Sequence, residues 1–268
     1  SDPLAHIQAT ARNEAGEIHY YYHPKWTAAR AQEKYERLRD FATALPGLRR
    51  KAQGLMRQQG MGEEKVLATL LSLLDQTAIR IGNEEYAAAN ATYGLSTFLK
   101  EHAAVRGARV RFKFVGKASV EHEVDVNDEL IAGVMKQLLR QPGDRLFQYA
   151  DEAGAMHAVD SSDVNRFIQE VSGGAFTAKD FRTYKGTSLA LEHLSSLGRP
   201  ASEAEAEAGI KEALAIVSEA LGNTPSVARD NYIDPKVLAA YREGRLGEVG
   251  SVSNVARALE RLDALSQP

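Results

Sequence analysis

The sequence predicts a mainly α-helical domain that carries a small antiparallel β-hairpin or sheet. Long stretches keep helical spacing of their apolar residues. One segment, residues 109–126, switches to period two. Proline and glycine punctuate the chain at intervals that suit helices of ordinary length.

The elements follow in order. Residues 6–10 alternate and residues 18–22 are aromatic, so two strands are expected around a turn at Asn13-Glu14-Ala15-Gly16, closed by Pro24. A helix is expected over 27–45, stopped by Pro46-Gly47, and a second over 47–59, broken by Gly60-Met61-Gly62. A third, over 63–82, has apolar Val66, Leu67, Leu70, Leu71, Leu73, Leu74 and Ile79; it reads as buried and carries Arg80. In 109–126, Val110, Phe112 and Phe114 alternate with Arg109, Arg111 and Lys113. Gly116-Lys117 forms the turn, and Val120, Val124 and Val126 return. Helices are then expected over 127–141, from a cap at Ser161 or Ser162 through Val171, and from the Thr177/Asp180 capping box onward. Three more cover 201–221, a stretch beginning at Pro235, and 251–265.

Composition excludes several classes. There is no cysteine among 268 residues, so disulfides, zinc–cysteine centres and thiol catalysis are out. No apolar run of about 18 residues exists to span a membrane. The start, Ser1-Asp2-Pro3-Leu4, lacks the features of a signal peptide. A reducing cytoplasm is the expected setting. Net charge is −3, but residues 1–120 hold 18 Lys/Arg against 12 Asp/Glu while the remainder holds 15 against 24. One basic face on an acidic body suits a nucleic-acid partner.

Nucleotide and metal motifs fail on inspection. A P-loop at Gly116-Lys117 would need glycine at 111 and Ser or Thr at 118; Arg111 and Ala118 stand there. No G-x-G-x-x-G follows a strand, the seven histidines have no metal-ligand spacing, and no G-x-S-x-G elbow exists. Neither cofactor nor metal nor nucleotide is expected.

Four separated segments remain. They are Arg80-x-Gly82-x-x-x-Tyr86-x-x-x-Asn90-x-Thr92-x-Gly94-Leu95-x-Thr97; Phe112-Lys113-Phe114-Val115-Gly116-Lys117; Lys179-Asp180-Phe181-Arg182-Thr183-Tyr184; and Leu221-Gly222-Asn223 through Asn231-Tyr232. In that order they resemble the catalytic segments of poxviral and bacterial type IB DNA topoisomerases, over about residues 6–245. The resemblance implies the helical catalytic fold shared with tyrosine recombinases, double-stranded DNA as partner, and a monomer that relaxes supercoils through a 3′-phosphotyrosine intermediate. It implies Arg80, Lys117, Arg182, Asn223 and Tyr232 as the catalytic set. DNA contacts fall on Tyr86, Asn90, Thr92, Lys179 and Tyr184. Asn223 stands where poxviral relatives carry histidine, nine residues before Tyr232.

The chemistry needs these residue types. Attack on a phosphodiester builds negative charge on phosphorus, and arginine offers a permanent planar cation matched to phosphate oxygens. Tyrosine supplies the nucleophile, and the resemblance implies that Lys117 at the hairpin tip, assisted by Arg80, gives the leaving oxygen its proton. The nearest rival is a tyrosine recombinase, although it would carry His-x-x-Arg where Lys179-Asp180-Phe181-Arg182 stands. The other is an inactive DNA-binding module. Residues 1–24 read as the remnant of an N-terminal β domain and linker, and 25–268 as the catalytic domain. So short an amino end predicts weaker, more salt-sensitive DNA binding and reduced relaxation.

Overall fold

A computed structural model describes residues 6–12, 18–249 and 254–265. Strands β1 (Ile7–Arg12) and β2 (Ile18–Tyr22) pair antiparallel, as expected; the residues of their turn lie outside the described ones. Pro24 then opens α1 (Pro24–Met56), with His23 Nδ1 accepting from the Lys25 amide at 3.1 Å. The break expected at Pro46-Gly47 does not occur: Pro46 lies inside one 33-residue helix. An interior proline costs about 3 kcal/mol. Burial outweighs that here, because Phe41, Leu45, Leu48, Ala52 and Met56 face one hydrophobic cluster and Tyr35, Leu38 and Ala42 face another.

Helix α2 (Glu63–Thr77) is buried nearly all round, but it ends five residues before the expected Gly82. Ala78 takes a left-handed conformation at φ 52°, and the chain leaves the helix there. Arg80 therefore stands on a strap rather than a helix. Tertiary pairing is the cause: the Leu95 amide donates to Arg80 O at 2.9 Å and the Ser96 amide to Ile81 O at 2.7 Å.

Short α3 (Glu84–Asn90) follows, then a three-stranded antiparallel sheet of β3 (Ala103–Arg106), β4 (Arg109–Val115) and β5 (Glu121–Asn127), with β4 central. The expected hairpin is present, and β3 adds an unforeseen edge. Val110, Phe112 and Phe114 point inward and are buried. After α4 (Glu129–Leu138) comes a second small hairpin, β6 (Gln148–Ala150) and β7 (Met156–Ala158). Helix α5 (Ser161–Ser172) is capped by Asp160, not by Ser161 or Ser162; its carboxylate accepts from the Ser162 and Asp163 amides at 2.6 and 2.9 Å.

The carboxyl-terminal part is helical: α6 (Ala178–Leu197), α7 (Glu203–Leu221), α8 (Pro225–Tyr232), α9 (Pro235–Arg242) and α10 (Val255–Leu265). The expected box at α6 forms, with the Thr177 amide donating to Asp180 Oδ2 at 2.8 Å.

Two hydrophobic clusters result. One gathers α2, α4, α5 and β4 around the second half of α1. The other gathers α7, α9, α10 and the end of α6 around its first half. Their seam passes between Ala78, in the second cluster, and Ile79, in the first. Among the described residues no helix is long and apolar enough to cross a membrane.

Candidate active site

The strap carrying Arg80 is fixed by glycine. A Cβ on Gly94 would lie 2.5 Å from both Arg80 O and Gly82 N, so the two backbones approach as closely as they do only because no side chain intervenes. Gly82 sits at φ +99°, and Thr97 Oγ1 accepts from the Gly94 amide at 2.9 Å. The R-x-G and G-L-x-T elements of the sequence are thus two sides of one backbone clasp. It aims Arg80 across the seam. The Tyr93 amide also donates to Val115 O at 2.8 Å, which ties the strap to the strand leading into Gly116-Lys117.

Arg182 comes from the early turns of α6. Its guanidinium donates to Ala78 O, the end of α2, and to Leu221 O at 2.8 Å, the end of α7. Arg80 Nη2 donates to Gly222 O at 3.2 Å and to Asn223 Oδ1 at 2.5 Å. Both arginines therefore serve the unsatisfied carbonyls and negative dipole ends of two helices. Such work is structural, but it does not neutralise them. Among the described residues neither has a carboxylate partner, and Arg182 is only 5% exposed. Two donors remain buried with no partner: Arg182 Nε and Asn223 Nδ2. Burying an unpaired cation costs on the order of several kcal/mol. Cations and orphan donors held together at that cost make a binding place for an anion.

Tyr232, the last residue of α8, is held from three sides. A Cβ on Gly186 of α6 would lie 2.5 Å from Tyr232 O, so glycine there lets α8 lie against α6. Thr187 Oγ1 donates to Tyr232 O at 3.3 Å and accepts from the Asp234 amide at 3.1 Å. From α1, Tyr35 Oη donates to Ile233 O at 2.7 Å and Lys34 Nζ to Asn231 O at 3.2 Å. The guanidinium carbon of Arg182 lies 5.0 Å from the centre of the Tyr232 ring. Burial pushes the phenol pKa up, but Arg182 foremost, then Arg80 and Lys179, pull it down further, and it ends below its ordinary value.

Lys117 is exposed at the tip of the β4–β5 turn, where Ala118 and Ser119 both take positive φ. It lines the same small cleft as Arg80, Arg182, His122 and Gly222, with about 30 Å³ of free space, room for roughly one water. Arg80, Arg182, Asn223 and Tyr232 thus form one contact network, and Lys117 stands at its rim.

The comparisons with known proteins identify a family. Residues 23–246 match the family described as eukaryotic DNA topoisomerase I, catalytic core. The chain belongs to the type IB DNA topoisomerases. It is 28% identical over 251 residues to DNA topoisomerase 1B of Acanthamoeba polyphaga mimivirus, covering 90% of this chain and 74% of that protein. It is 26% identical over 174 residues to DNA topoisomerase 1 of Mycosarcoma maydis, and 28% over 160 to that of Daucus carota. Each match covers 58% of this chain but only 17% and 19% of the relative. These relatives are viral and eukaryotic and lend no support to a bacterial type.

Within this topoisomerase the expected DNA contacts divide. Tyr86, 58% exposed, and Asn90 stand open on α3, and Thr92 just beyond it is half-buried. Lys179 is exposed on the first turn of α6, in a groove with Arg30, Lys34 and Arg37. Tyr184 does not join them. Two residues past Arg182 on α6, it points to the opposite face, packs edge-on against Phe41 at 5.9 Å and is half-buried beside Arg49. The sequence reading missed His122 and Lys34. His122 had a signal: with Val124 and Val126 it shares the inward-facing alternation of β5. Lys34 had none, being one cation in an Ala/Arg/Glu/Lys-rich helix.

Proposed function

We propose that this chain relaxes supercoiled DNA by cutting one strand through Tyr232 and resealing it. The phenol oxygen attacks the scissile phosphorus, a bond forms from Tyr232 to the 3′-phosphate, and the bond to the 5′-oxygen breaks. The phenol loses its proton to solvent before attack, and the departing oxygen takes one from the Lys117 ammonium, leaving the neutral amine to take it back on religation. Arg80, Arg182 and Asn223 hold the non-bridging oxygens. One phosphodiester is exchanged for another, so the bond energy is kept for religation and no nucleotide enters the scheme. The developing charge falls on fixed guanidiniums, so the step as drawn assigns no role to a metal. Between cutting and resealing, the free end swivels. A single subunit holds the whole set, in keeping with a monomer acting on duplex DNA.

One observation carries this reading above the others. Two guanidiniums without carboxylate partners, one of them with its Nε unpartnered, and the unpartnered amide of Asn223 belong to one contact network with a phenol whose pKa is depressed. A plasmid assay tests it. With EDTA and without ATP, the wild type is expected to give a ladder of relaxed topoisomers and Tyr232→Phe none. Site-dependent strand exchange in place of a ladder would mark a recombinase. No nicking and no relaxation at low salt would reduce the chain to a DNA-binding module.

A further inference from the structure

His122 is absorbed by none of the roles above, yet its ring occupies the gap between two catalytic segments. In the β4–β5 register it pairs with Phe114, and the two rings stack at 5.0 Å and 19°. On one side lies the backbone that leads into Lys117. A Cβ on Gly116 would lie 2.7 Å from His122 Cδ2 and 2.8 Å from its Nε2. On the other lies the turn that leads into Asn223. A Cβ on Gly222 would lie 2.5 Å from His122 Cε1. Gly222 has a second reason to be glycine, since it ends α7 at φ +58°. Gly116 has none. Its φ of −98° and ψ of −168° are extended backbone open to any residue. The imidazole alone demands glycine at 116.

We infer that His122 is a positioning residue for Lys117: its ring props the Gly116 backbone off the Gly222 turn and so sets how far the lysine reaches into the cleft. The inference rests on the reading of Lys117 as the proton donor. It treats the ring as a neutral wedge and not as a third phosphate cation. Burial, then the charges of Arg80 and Arg182, hold its pKa below the ordinary histidine value, which favours the uncharged ring. Its shape carries the role. A shift of about 1 Å in a catalytic group can slow a reaction by on the order of 100-fold.

Single-turnover cleavage of two matched duplexes tests this. One carries the ordinary scissile phosphodiester; in the other, sulfur replaces the bridging 5′-oxygen. A thiolate leaves without a proton, so loss of the acid, or of its placement, disappears on the sulfur duplex. Lys117→Ala is expected to fall by about 100-fold or more on oxygen and to recover on sulfur. His122→Ala is expected to fall by roughly 10- to 100-fold on oxygen and to recover on sulfur within about threefold of the wild type. His122→Phe, which keeps a ring, is expected within about threefold on both. Gly116→Ala, which drives a methyl group into the imidazole, should copy His122→Ala while leaving His122 in place. If His122→Ala and Gly116→Ala stay equally slow on sulfur while Lys117→Ala recovers, the inference is wrong and the proton-donor reading stands. If Lys117→Ala itself fails to recover on sulfur, the proton-donor reading falls and takes the inference with it.

Discussion

Two groups of cations in this molecule have opposite environments. On the outer face of the sheet, Arg109 and Arg111 pair with Asp125, with Arg111 Nε at 3.0 Å, and Arg111 and Lys113 each reach Glu123 at 2.8 Å. The two arginines hold the Asp125 carboxyl far below the usual carboxylate range. At the seam, Arg80 and Arg182 meet carbonyl oxygens and, for Arg182, the Tyr232 ring; among the described residues no carboxylate answers them. The first group is exposed and already neutralised; the second is withdrawn from water and still charged. A count of basic residues treats both alike. Three of the cations in the basic first half of the chain are answered across the hairpin by Glu123 and Asp125, which lie in the acidic remainder, so that surplus overstates the face offered to DNA. What makes a cation available to phosphate is the lack of an anionic neighbour, and only folding reveals it.

The contrast predicts a descending series of effects. Tyr232→Phe should abolish covalent adduct and relaxation while duplex affinity, read by fluorescence anisotropy, changes little. Arg182→Ala and Arg80→Ala should each slow single-turnover cleavage by about 100- to 1,000-fold, the usual loss for a preorganised donor on a developing charge. Arg182→Lys should recover only part of this, because an ammonium cannot serve Ala78 O, Leu221 O and a phosphate with one planar fork. Asn223→Ala removes a neutral donor and should cost less, about 10-fold. Arg111→Ala, on the neutralised face, should stay within about twofold of the wild type. An Arg111 effect as large as that of Arg182 would erase the distinction between the two groups.

The pH profile sharpens the same point. In the proposed step the nucleophile is the phenolate, so cleavage should rise with pH and level off at the Tyr232 pKa. In the wild type that plateau should begin below the free-phenol value of about 10, because Arg182, Arg80 and Lys179 outweigh the effect of burial. In Arg182→Ala the rising limb should move to higher pH. An unmoved limb would mean that Arg182 does not govern the phenol.

Much of this was legible in the chain, and the failures have physical causes. The helices from α4 onward other than α8, the β4–β5 hairpin and the Thr177 box follow from local periodicity and capping; α8 was not expected, because Thr224-Pro225 was read as a break where the structure uses Thr224 as its cap and Pro225 as its first residue. Arg80 was assigned to a helix because the apolar spacing of 66–79 runs on without a break. Only pairing with residues 95 and 96, distant in sequence, draws the strap out. Pro46 was read as a stop because local propensity cannot weigh the two clusters that clasp α1. Strands β3, β6 and β7, at three or four residues each, are too short to show alternation. For the site, the residue types and their order were legible, but the missing carboxylates and the orphaned donors were not. Tyr184 could have been placed correctly: at about 100° per helical residue, it faces away from Arg182.

Mapping the covalent adduct tests the central claim most directly. The protein is incubated with EDTA and a duplex in which the short downstream fragment, released with a 5′-hydroxyl, diffuses away after cutting, which traps the intermediate. It is then digested, and the DNA-bearing peptide is sequenced by mass spectrometry. The predicted result is a single modified peptide, esterified through the oxygen of Tyr232 to a 3′-phosphate and absent from Arg182→Ala on the same timescale. An adduct on any other tyrosine, a 5′-phosphate linkage, or undiminished adduct in Arg182→Ala would contradict it.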